Sequence, residues 1–266
     1  MIGRRAPRLI LIAFCVLVVS FLIAPTVLIM AMSFGSTRSL NFPPHGFSVD
    51  WYRNFFEDRW LTPTITSLKV AALAALTATV LGTMAALGIM RGRFPGRSLV
   101  QGILLAPLIV PVVIVGIALF SVFSDWHLAG TLWGLVLGHT VLAIPFVLIT
   151  VGASLQTVDP VYERAAANLG APPLRVFLRV TLPLILPGVV AGGLFAFAVS
   201  LDEVVVAIFL TSPTVLTLPV EMWATIRDFI DPTMAAISTM LVGVTLVILS
   251  VSFLFGLKRR APGVVP

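Results

Sequence analysis

The chain has 266 residues, of which 59% are hydrophobic and only 11% are charged. Soluble domains carry about 25% charged residues, so this composition excludes an ordinary water-soluble fold and indicates an integral membrane protein. The net charge is +6, but the basic residues concentrate in short segments between apolar runs. That pattern is typical of membrane topology and argues against a nucleic-acid partner. The single cysteine, Cys15, excludes an intrachain disulfide and a cysteine-rich metal site.

Six apolar runs are long enough to cross a bilayer, whose hydrocarbon core takes roughly 20 helical residues. They cover approximately residues 9–34, 64–90, 99–123, 131–153, 183–211 and 232–257. The first run follows several arginines, as a signal peptide would, but it exceeds the usual apolar region of roughly 7–15 residues. We therefore expect an uncleaved first span and an all-α integral membrane fold, with residues 1–266 forming one transmembrane domain.

Basic residues fall on alternate connections of this six-span arrangement. Since Lys and Arg accumulate on the cytoplasmic side, both termini are expected to be cytoplasmic. The expected cytoplasmic residues are Arg4, Arg5, Arg8, Arg91, Arg93, Arg97, Arg164, Arg175, Arg179, Lys258, Arg259 and Arg260. On the opposite side, residues 35–63 form an aromatic, mixed-charge stretch suited to a membrane interface. The connection between the fifth and sixth spans lies on the same side, and in it Pro219 to Phe229 are expected to form a short helix.

The connection between the fourth and fifth spans, residues 154–182, is called the coupling loop below. Asp159 followed by Pro160 is typical of a helix start, with Asp159 as the N-cap. Gly170 can end that helix in the left-handed conformation. Pro172 and Pro173 then begin a second short helix. The sequence predicts a helix, a tight turn and another helix on the cytoplasmic face.

No sequence motif for catalysis is present. A phosphate-binding loop needs a Gly-rich turn followed by Lys and Ser or Thr, and neither Lys69 nor Lys258 lies in such a turn. The HExxH and Gly-x-Ser-x-Gly patterns are also missing. His45, His127 and His139 are scattered, so we expect loop or packing roles and no metal site. We expect a chain that is not an enzyme and has no catalytic residue.

Two adjacent carboxylates, Asp202 and Glu203, lie in the fifth apolar run just after Ser200. A carboxylate at the centre of a spanning helix costs about 2.5–3.5 kcal/mol on insertion scales. Such residues commonly face a water-filled path or a partner charge, so all three are candidate substrate-path residues. Two alternatives remain open: the carboxylates cap or hydrogen-bond neighbouring helices, or the span is shallower than drawn.

The run Ala165-Ala166, Gly170 and Leu182-Pro183 resembles the cytoplasmic "EAA" loop of ATP-binding-cassette (ABC) importer permeases of type I, the MetI-like fold. The resemblance implies that the coupling loop is a coupling helix that docks into a groove of the ATPase subunit. In that family a Glu precedes the two alanines directly. This chain has Arg164 there, with Glu163 one position earlier. The ATPase-coupling residues it implies are Glu163, Arg164, Ala165, Ala166, Gly170, Leu182 and Pro183.

Other segments resemble spermidine/putrescine (polyamine) permeases, including Ser200 to Phe209 with Leu218-Pro219, Phe42-Pro43-Pro44 with Trp51-Tyr52, and Ser67 to Ala71. The resemblance implies a bacterial inner-membrane permease for a cationic amine. Its implied partners are a second homologous permease, two ATP-binding subunits that hold ATP and Mg, and an extracytoplasmic solute-binding protein. Glu221 and Trp223 either add charge and cation–π attraction or serve as anchors at the membrane interface. The alternatives are a permease of the same fold for an amino-acid derivative, opine, phosphonate or iron, and a gradient-driven secondary transporter.

Overall fold

A computed structural model describes residues 5–228 and 231–258, with side chains over 10–227 and 231–246. Regular structure in this part of the chain is helical, apart from an isolated bridge between Ser212 and Val215. The expected charges at the two ends of the chain lie outside the described side chains. These are Arg4, Arg5, Arg8, Lys258, Arg259 and Arg260.

Twelve α-helices occur in the described residues, together with a short 3-10 turn and a π turn. In chain order the α-helices are α1 (Arg5–Met32), α2 (Asp50–Asn54), α3 (Asp58–Arg91), α4 (Arg97–Leu105), α5 (Val112–Asp125), α6 (Leu132–Thr157), α7 (Pro160–Asn168), α8 (Pro173–Val176), α9 (Leu182–Asp202), α10 (Val205–Leu210), α11 (Leu218–Asp228) and α12 (Thr233–Lys258).

Four helical segments in the described residues are long and apolar enough to cross a membrane: Ile10–Met32, Asp58–Arg91, Leu132–Thr157 and Pro173–Asp202. A bent pair, Arg97–Leu108 with Val112–Asp125, makes a fifth if it counts as one span. In α12 the apolar segment of described side chains, Thr233–Leu246, is shorter than a span. Several expected spans are thus present as helices, and the total of six stays a prediction.

The third expected span is not one straight helix. Its two halves meet at an angle of 105°. Pro107 lies in the 3-10 turn Ala106–Leu108, and Pro111 precedes α5 with an extended ψ of 126°. Because a proline has no N–H to donate and its ring clashes with the preceding turn, two prolines four residues apart break the helix here. The 14 residues of α5 span about 21 Å, which is shorter than a 30 Å hydrocarbon core.

The fifth expected span starts earlier and ends earlier than the apolar run suggests. Helical structure is continuous from Pro173 to Asp202, because the π turn Phe177–Thr181 joins α8 to α9. Pro183 cannot donate a hydrogen bond to Arg179, and a π turn is a common way to absorb such a mismatch. After Asp202 the helix breaks, and α10 follows as a separate element.

Two compact units are found, one of residues 1–61 and 224–266 and one of residues 62–223. In the second, α6 packs tightly on α9 and α3 through glycines. A Cβ on Gly82 would lie 2.7 Å from the Val147 Cβ, and one on Gly192 would lie 3.0 Å from the Val147 Cα. Small residues allow such close approach between helices, which is how helices associate in lipid. All candidate site residues belong to this second unit.

In the first unit, the stretch after α1 folds back on the end of that helix. The Trp51 indole N–H donates to the Gly35 carbonyl at 2.7 Å, and the Tyr52 and Ser33 hydroxyls lie 2.6 Å apart. The rings of Phe34 and Phe47 stack at 5.5 Å. These contacts give the expected interfacial stretch a defined structure. Side chains of α1 from Ile10 to Met32 are largely exposed, as a lipid-facing or partner-facing helix requires.

Candidate functional site

The coupling loop has the local structure that its sequence predicts. Asp159 accepts a hydrogen bond from the Val161 N–H at 2.8 Å and so caps α7, whose first residue is Pro160. Gly170 has a φ of 84°, the left-handed conformation that glycine adopts at least cost. A second helix, α8, begins at Pro173. The predicted helix, turn and helix are therefore confirmed, while docking onto an ATPase stays a prediction.

Glu163 faces inward from α7 and attaches the coupling loop to the spanning helices. Its carboxylate lies 3.2 Å from the Arg91 Nε at the end of α3, and both side chains are 20–25% exposed. The Thr181 hydroxyl donates to the same carboxylate at 3.1 Å. Arg91 also donates to the Val158 carbonyl at 2.8 Å. The Glu163 carboxylate thus joins α7 to the end of α3 and to the π turn before α9, and Arg91 extends this connection to the residue after α6.

Arg164 faces outward on the same helix and is exposed, as is Ala165, whereas Ala166 is half-buried. Leu182 and Pro183 open α9 at the far end of the π turn. Along α7 and α8 several large apolar side chains are exposed, with Leu169 89% exposed. The others are Val161, Tyr162 and Leu174. A mostly apolar surface of this kind, with isolated charges, is typical of an interaction site.

A cleft lies between the end of α3, helix α7 and the α8–π segment, with a volume of about 420 Å³. Its walls are predominantly apolar, and its charged lining residues are Arg91, Glu163 and Arg164. The remaining lining residues are Leu87, Ala167, Ala171, Pro173, Val176, Phe177 and Thr181. Because Arg91 and Glu163 pair with each other, Arg164 is the one charged lining residue that has no partner among the described residues.

The two carboxylates of the fifth run do not lie inside a continuous helix. Asp202 is the last residue of α9, and Glu203 has an extended backbone, with a ψ of 118°. The Glu203 carboxylate accepts a hydrogen bond from the Val206 N–H at 2.7 Å and so caps α10. We call residues Asp202, Glu203 and Val204 the carboxylate break. The expectation of a spanning helix through both carboxylates is wrong here, and for Glu203 the capping alternative is observed.

The two carboxylates also differ in exposure. Glu203 is half-buried, whereas Asp202 is exposed and forms no hydrogen bond or ion pair with any residue that the structure describes. A carboxylate at the C-terminus of a helix faces the negative end of the helix dipole. Asp202 is therefore held in a position that favours a cation from outside the described chain.

Ser200, the third candidate for the substrate path, is buried. Its hydroxyl lies 2.8 Å from the His139 Nδ1, which also lies 3.1 Å from the Ser200 carbonyl oxygen. This pair connects α6 to the end of α9. His139 is itself buried, as the packing interpretation of the scattered histidines predicts. The contact gives Ser200 a packing role, and its place in the substrate path stays a prediction.

Glu221 and Trp223 lie on α11, within the short helix expected from Pro219 onward. Glu221 is half-buried and Trp223 is 50% exposed. Residues two positions apart on a helix do not face one another, so these two side chains do not form one cluster. Their assignment to the substrate path is untested by this geometry.

Two site residues were not found by sequence reasoning. In the sequence Arg91 indicates only a cytoplasmic connection, and no pattern marks Thr181. Arg91 and Glu163 are 72 positions apart, and nothing local marks them as a pair. No group of His, Cys, Asp or Glu suited to a metal ion occurs among the described residues.

Comparison with known proteins adds evidence that geometry alone does not provide. Residues 78–260 match the family described as "Binding-protein-dependent transport system inner membrane component". The putrescine transport system permease protein PotI of Escherichia coli is 34% identical over 84% of this chain and 82% of its own length. The spermidine/putrescine transport system permease protein PotC of Haemophilus influenzae is 30% identical, over 93% and 96% respectively.

A solved structure has a similar fold. It belongs to a bacterial ABC transporter involved in the import of the acidic polysaccharide alginate. The TM-score is 0.70 over 97% of this chain and 98% of the other, at 17% identity. At that identity the likeness concerns the fold alone.

Proposed function

The chain belongs to the family of inner-membrane components of binding-protein-dependent transport systems and is an ABC importer permease; on that premise we propose that its cargo is a small organic polycation of the putrescine or spermidine class. The observation that carries this proposal is the exposed carboxylate of Asp202 at the negative end of α9, which pairs with no residue that the structure describes. Permeases named for putrescine and spermidine are similar to this chain over most of its length, which supports the same cargo class.

An ammonium group of the cargo has two sources of attraction at the carboxylate break. One is the Asp202 carboxylate, and the other is the set of carbonyl oxygens left without intrahelical partners at the end of α9. Glu203 adds a second negative charge beside it, while its carboxylate keeps α10 capped. In this proposal Asp202 lines the translocation path, and Ser200, Glu221 and Trp223 are secondary candidates.

The proposed assembly has four kinds of component. This chain pairs with a second, homologous permease to enclose the path, and two ATP-binding subunits, which hold ATP and Mg, bind the coupling loops. An extracytoplasmic solute-binding protein delivers the cargo. Both termini are placed in the cytoplasm, on the side of Arg91, Arg164, Arg175 and Arg179. This chain itself binds no cofactor and performs no catalysis.

Transport then follows from a rigid-body alternation between two states. ATP binding closes the ATP-binding subunits and moves the coupling loop through residues Ala165, Ala166 and Gly170. The Arg91–Glu163 ion pair conveys that displacement to α3, and the contact with Thr181 conveys it to the helix that begins at Pro173. The path thereby opens to the opposite side.

The test is uptake of radiolabelled putrescine and spermidine by cells that produce the chain with its partner subunits. A variant of the ATP-binding subunit that cannot hydrolyse ATP is the control. Uptake that disappears in the control supports both the ATP-driven mechanism and the amine class. ATP-dependent uptake of another solute without amine transport refutes the cargo, and uptake that persists in the control indicates a gradient-driven transporter.

Substitution of Asp202 tests its place in the path. We expect Asp202→Asn to raise the KM for amine uptake by about fivefold to tenfold, since about 1 kcal/mol of charge attraction is lost at a partly solvated site. Asp125→Asn is the matched control, because Asp125 is also an exposed carboxylate at the end of a helix, α5. Equal uptake by both variants, with the complex intact, would remove Asp202 from the path.

A further inference from the structure

The cleft beside α7 has a charge that the rest of the described chain does not neutralise. Of its three charged lining residues, Arg91 and Glu163 pair with each other at 3.2 Å. Arg164 is exposed and makes no hydrogen bond or ion pair with any described residue. The cleft thus has one net positive charge at its edge and predominantly apolar walls.

The cleft has room for an apolar side chain of a partner protein. Its volume is about 420 Å³. The lining includes the apolar side chains of Ala167, Ala171 and Phe177. An apolar side chain fills such a space most favourably, because it removes its own surface and that of the walls from water.

We propose that the ATP-binding subunit inserts an apolar side chain into this cleft and places a carboxylate against Arg164, so that its groove is acidic at this point. The inference rests on the proposed function, because it assigns the chemistry of the surface that the coupling loop contacts. Charge complementarity carries it: Glu163 is already committed to Arg91, so the charge that α7 presents outward at the cleft is the positive one. A guanidinium also matches a carboxylate with two parallel hydrogen bonds.

The position of the cleft supports the same partner. It lies beside α7 and α8, which also have exposed apolar side chains outside the cleft: Tyr162 on α7, Leu169 after it and Leu174 on α8 are 59–89% exposed. Interfaces commonly combine an apolar centre with charged residues that set specificity at the rim.

The experiment measures binding of the purified chain to the ATP-binding subunit in uncharged detergent. The subunit is the one with which the chain shows ATP-dependent uptake. We expect Arg164→Glu to weaken binding by at least about tenfold, since a favourable charge pair becomes a repulsive one. Arg164→Lys should change it by less than about threefold. Arg179→Glu is the matched control: Arg179 is exposed on the π turn but does not line the cleft, and its reversal should change binding by less than about twofold.

Two further variants test the apolar contact and the charge contact separately. Ala167→Phe should weaken binding by filling the cleft while leaving Arg164 in place. A single Asp→Arg or Glu→Arg change in the groove of the ATP-binding subunit should restore binding to the Arg164→Glu chain. Thermal unfolding midpoints within about 2 °C of the unsubstituted chain confirm that each variant is folded.

Three outcomes would contradict the proposals. Unchanged binding by Arg164→Glu, in a complex that the unsubstituted chain forms, overturns this inference and leaves the proposed function intact. An effect of Arg164→Glu that appears only in phosphatidylglycerol nanodiscs, and not in uncharged detergent, also overturns it, because Arg164 then binds lipid headgroups. Amine uptake that persists with the ATPase-dead subunit refutes the proposed function, and this inference with it.

Discussion

The coupling loop and the carboxylate break are both interruptions between helices of the same unit, yet different forces hold them. In the coupling loop, Asp159, Pro160 and Gly170 determine the path of the backbone by their own chemistry. At the carboxylate break no glycine or proline is present. Its structure depends on the Glu203 carboxylate and on the contact of Ser200 with His139 from another helix.

The difference predicts how each region responds when the helices move. A turn that is defined by local residues keeps its shape and transmits displacement as a rigid element. A break that depends on a contact between two helices changes when those helices shift, because the contact is then lost or replaced. The first behaviour suits a docking element, and the second suits a site that must open and close.

Loss of the ion pair between Glu163 and Arg91 should have the largest effect on stability and uptake. Glu163→Ala removes the carboxylate that joins the rigid loop to α3 and α9, and leaves Arg91 half-buried without its charged partner. We expect a loss of about 1.5–3 kcal/mol in folding stability, the range for hydrogen bonds to charged groups. ATP hydrolysis by the complex should persist while uptake falls at least tenfold.

Glu57→Ala is the matched control for Glu163→Ala, since Glu57 is an exposed carboxylate on the opposite side of the expected topology. The two assays, hydrolysis and uptake on the same preparation, show whether coupling rather than assembly is lost. Proportional losses in both assays would mean that the ion pair serves assembly alone.

Substitution of Gly170 in the left-handed turn should have a smaller effect on stability and uptake. Gly170→Val forces a β-branched residue to adopt a φ of 84°, which costs about 1–2 kcal/mol or more for a residue with a Cβ. Since a Cβ at this position meets no other atom within 4 Å, the cost comes from the backbone alone. Gly170→Asn should retain most of the uptake, because asparagine tolerates this conformation. Equal loss with both residues would indicate that the partner contacts Gly170 directly.

The smallest expected effect separates the two roles of Glu203. Glu203→Ala removes the cap on α10 and should cost about 1 kcal/mol of stability, as loss of a cap does elsewhere. Glu203→Gln keeps an oxygen that can accept from the Val206 N–H and should therefore unfold at nearly the same temperature as the unsubstituted chain. Amine uptake by Glu203→Gln then measures the charge alone. A stable variant that transports normally assigns Glu203 to capping and leaves Asp202 as the path carboxylate.

Sequence reasoning succeeded where the determinants are local. The starts of α7 and α8 and the turn at Gly170 were each predicted from residues within the loop. The helix α11, Leu218–Asp228, lies close to the expected Pro219–Phe229, whose last residue falls outside the described part of the chain. Caps and prolines act on the backbone beside them, which is why a pattern of a few residues is sufficient.

Sequence reasoning failed where the two residues that form a contact are far apart in the sequence. It also failed where a single polar side chain interrupts a long apolar run. The pairing of Arg91 with Glu163 joins positions 72 residues apart. The break at Glu203 lies in a run whose hydrophobicity favours a continuous helix, and a single side-chain hydrogen bond to Val206 decides otherwise. The bend between α4 and α5 could have been predicted, because Pro107 and Pro111 both lie inside the expected third span.

The π turn has a mechanical consequence. By joining α8 to α9 it makes one uninterrupted helix of 30 residues, about 45 Å long, from Pro173 to Asp202. This helix begins inside the coupling loop, at Pro173, and ends at Asp202, whose side chain is exposed. When this helix tilts as a rigid body, a displacement at Pro173 is accompanied by a displacement of Asp202 at its other end. Beside the side-chain contacts of Glu163, the backbone of this helix is therefore a second, direct connection between the coupling loop and the carboxylate break.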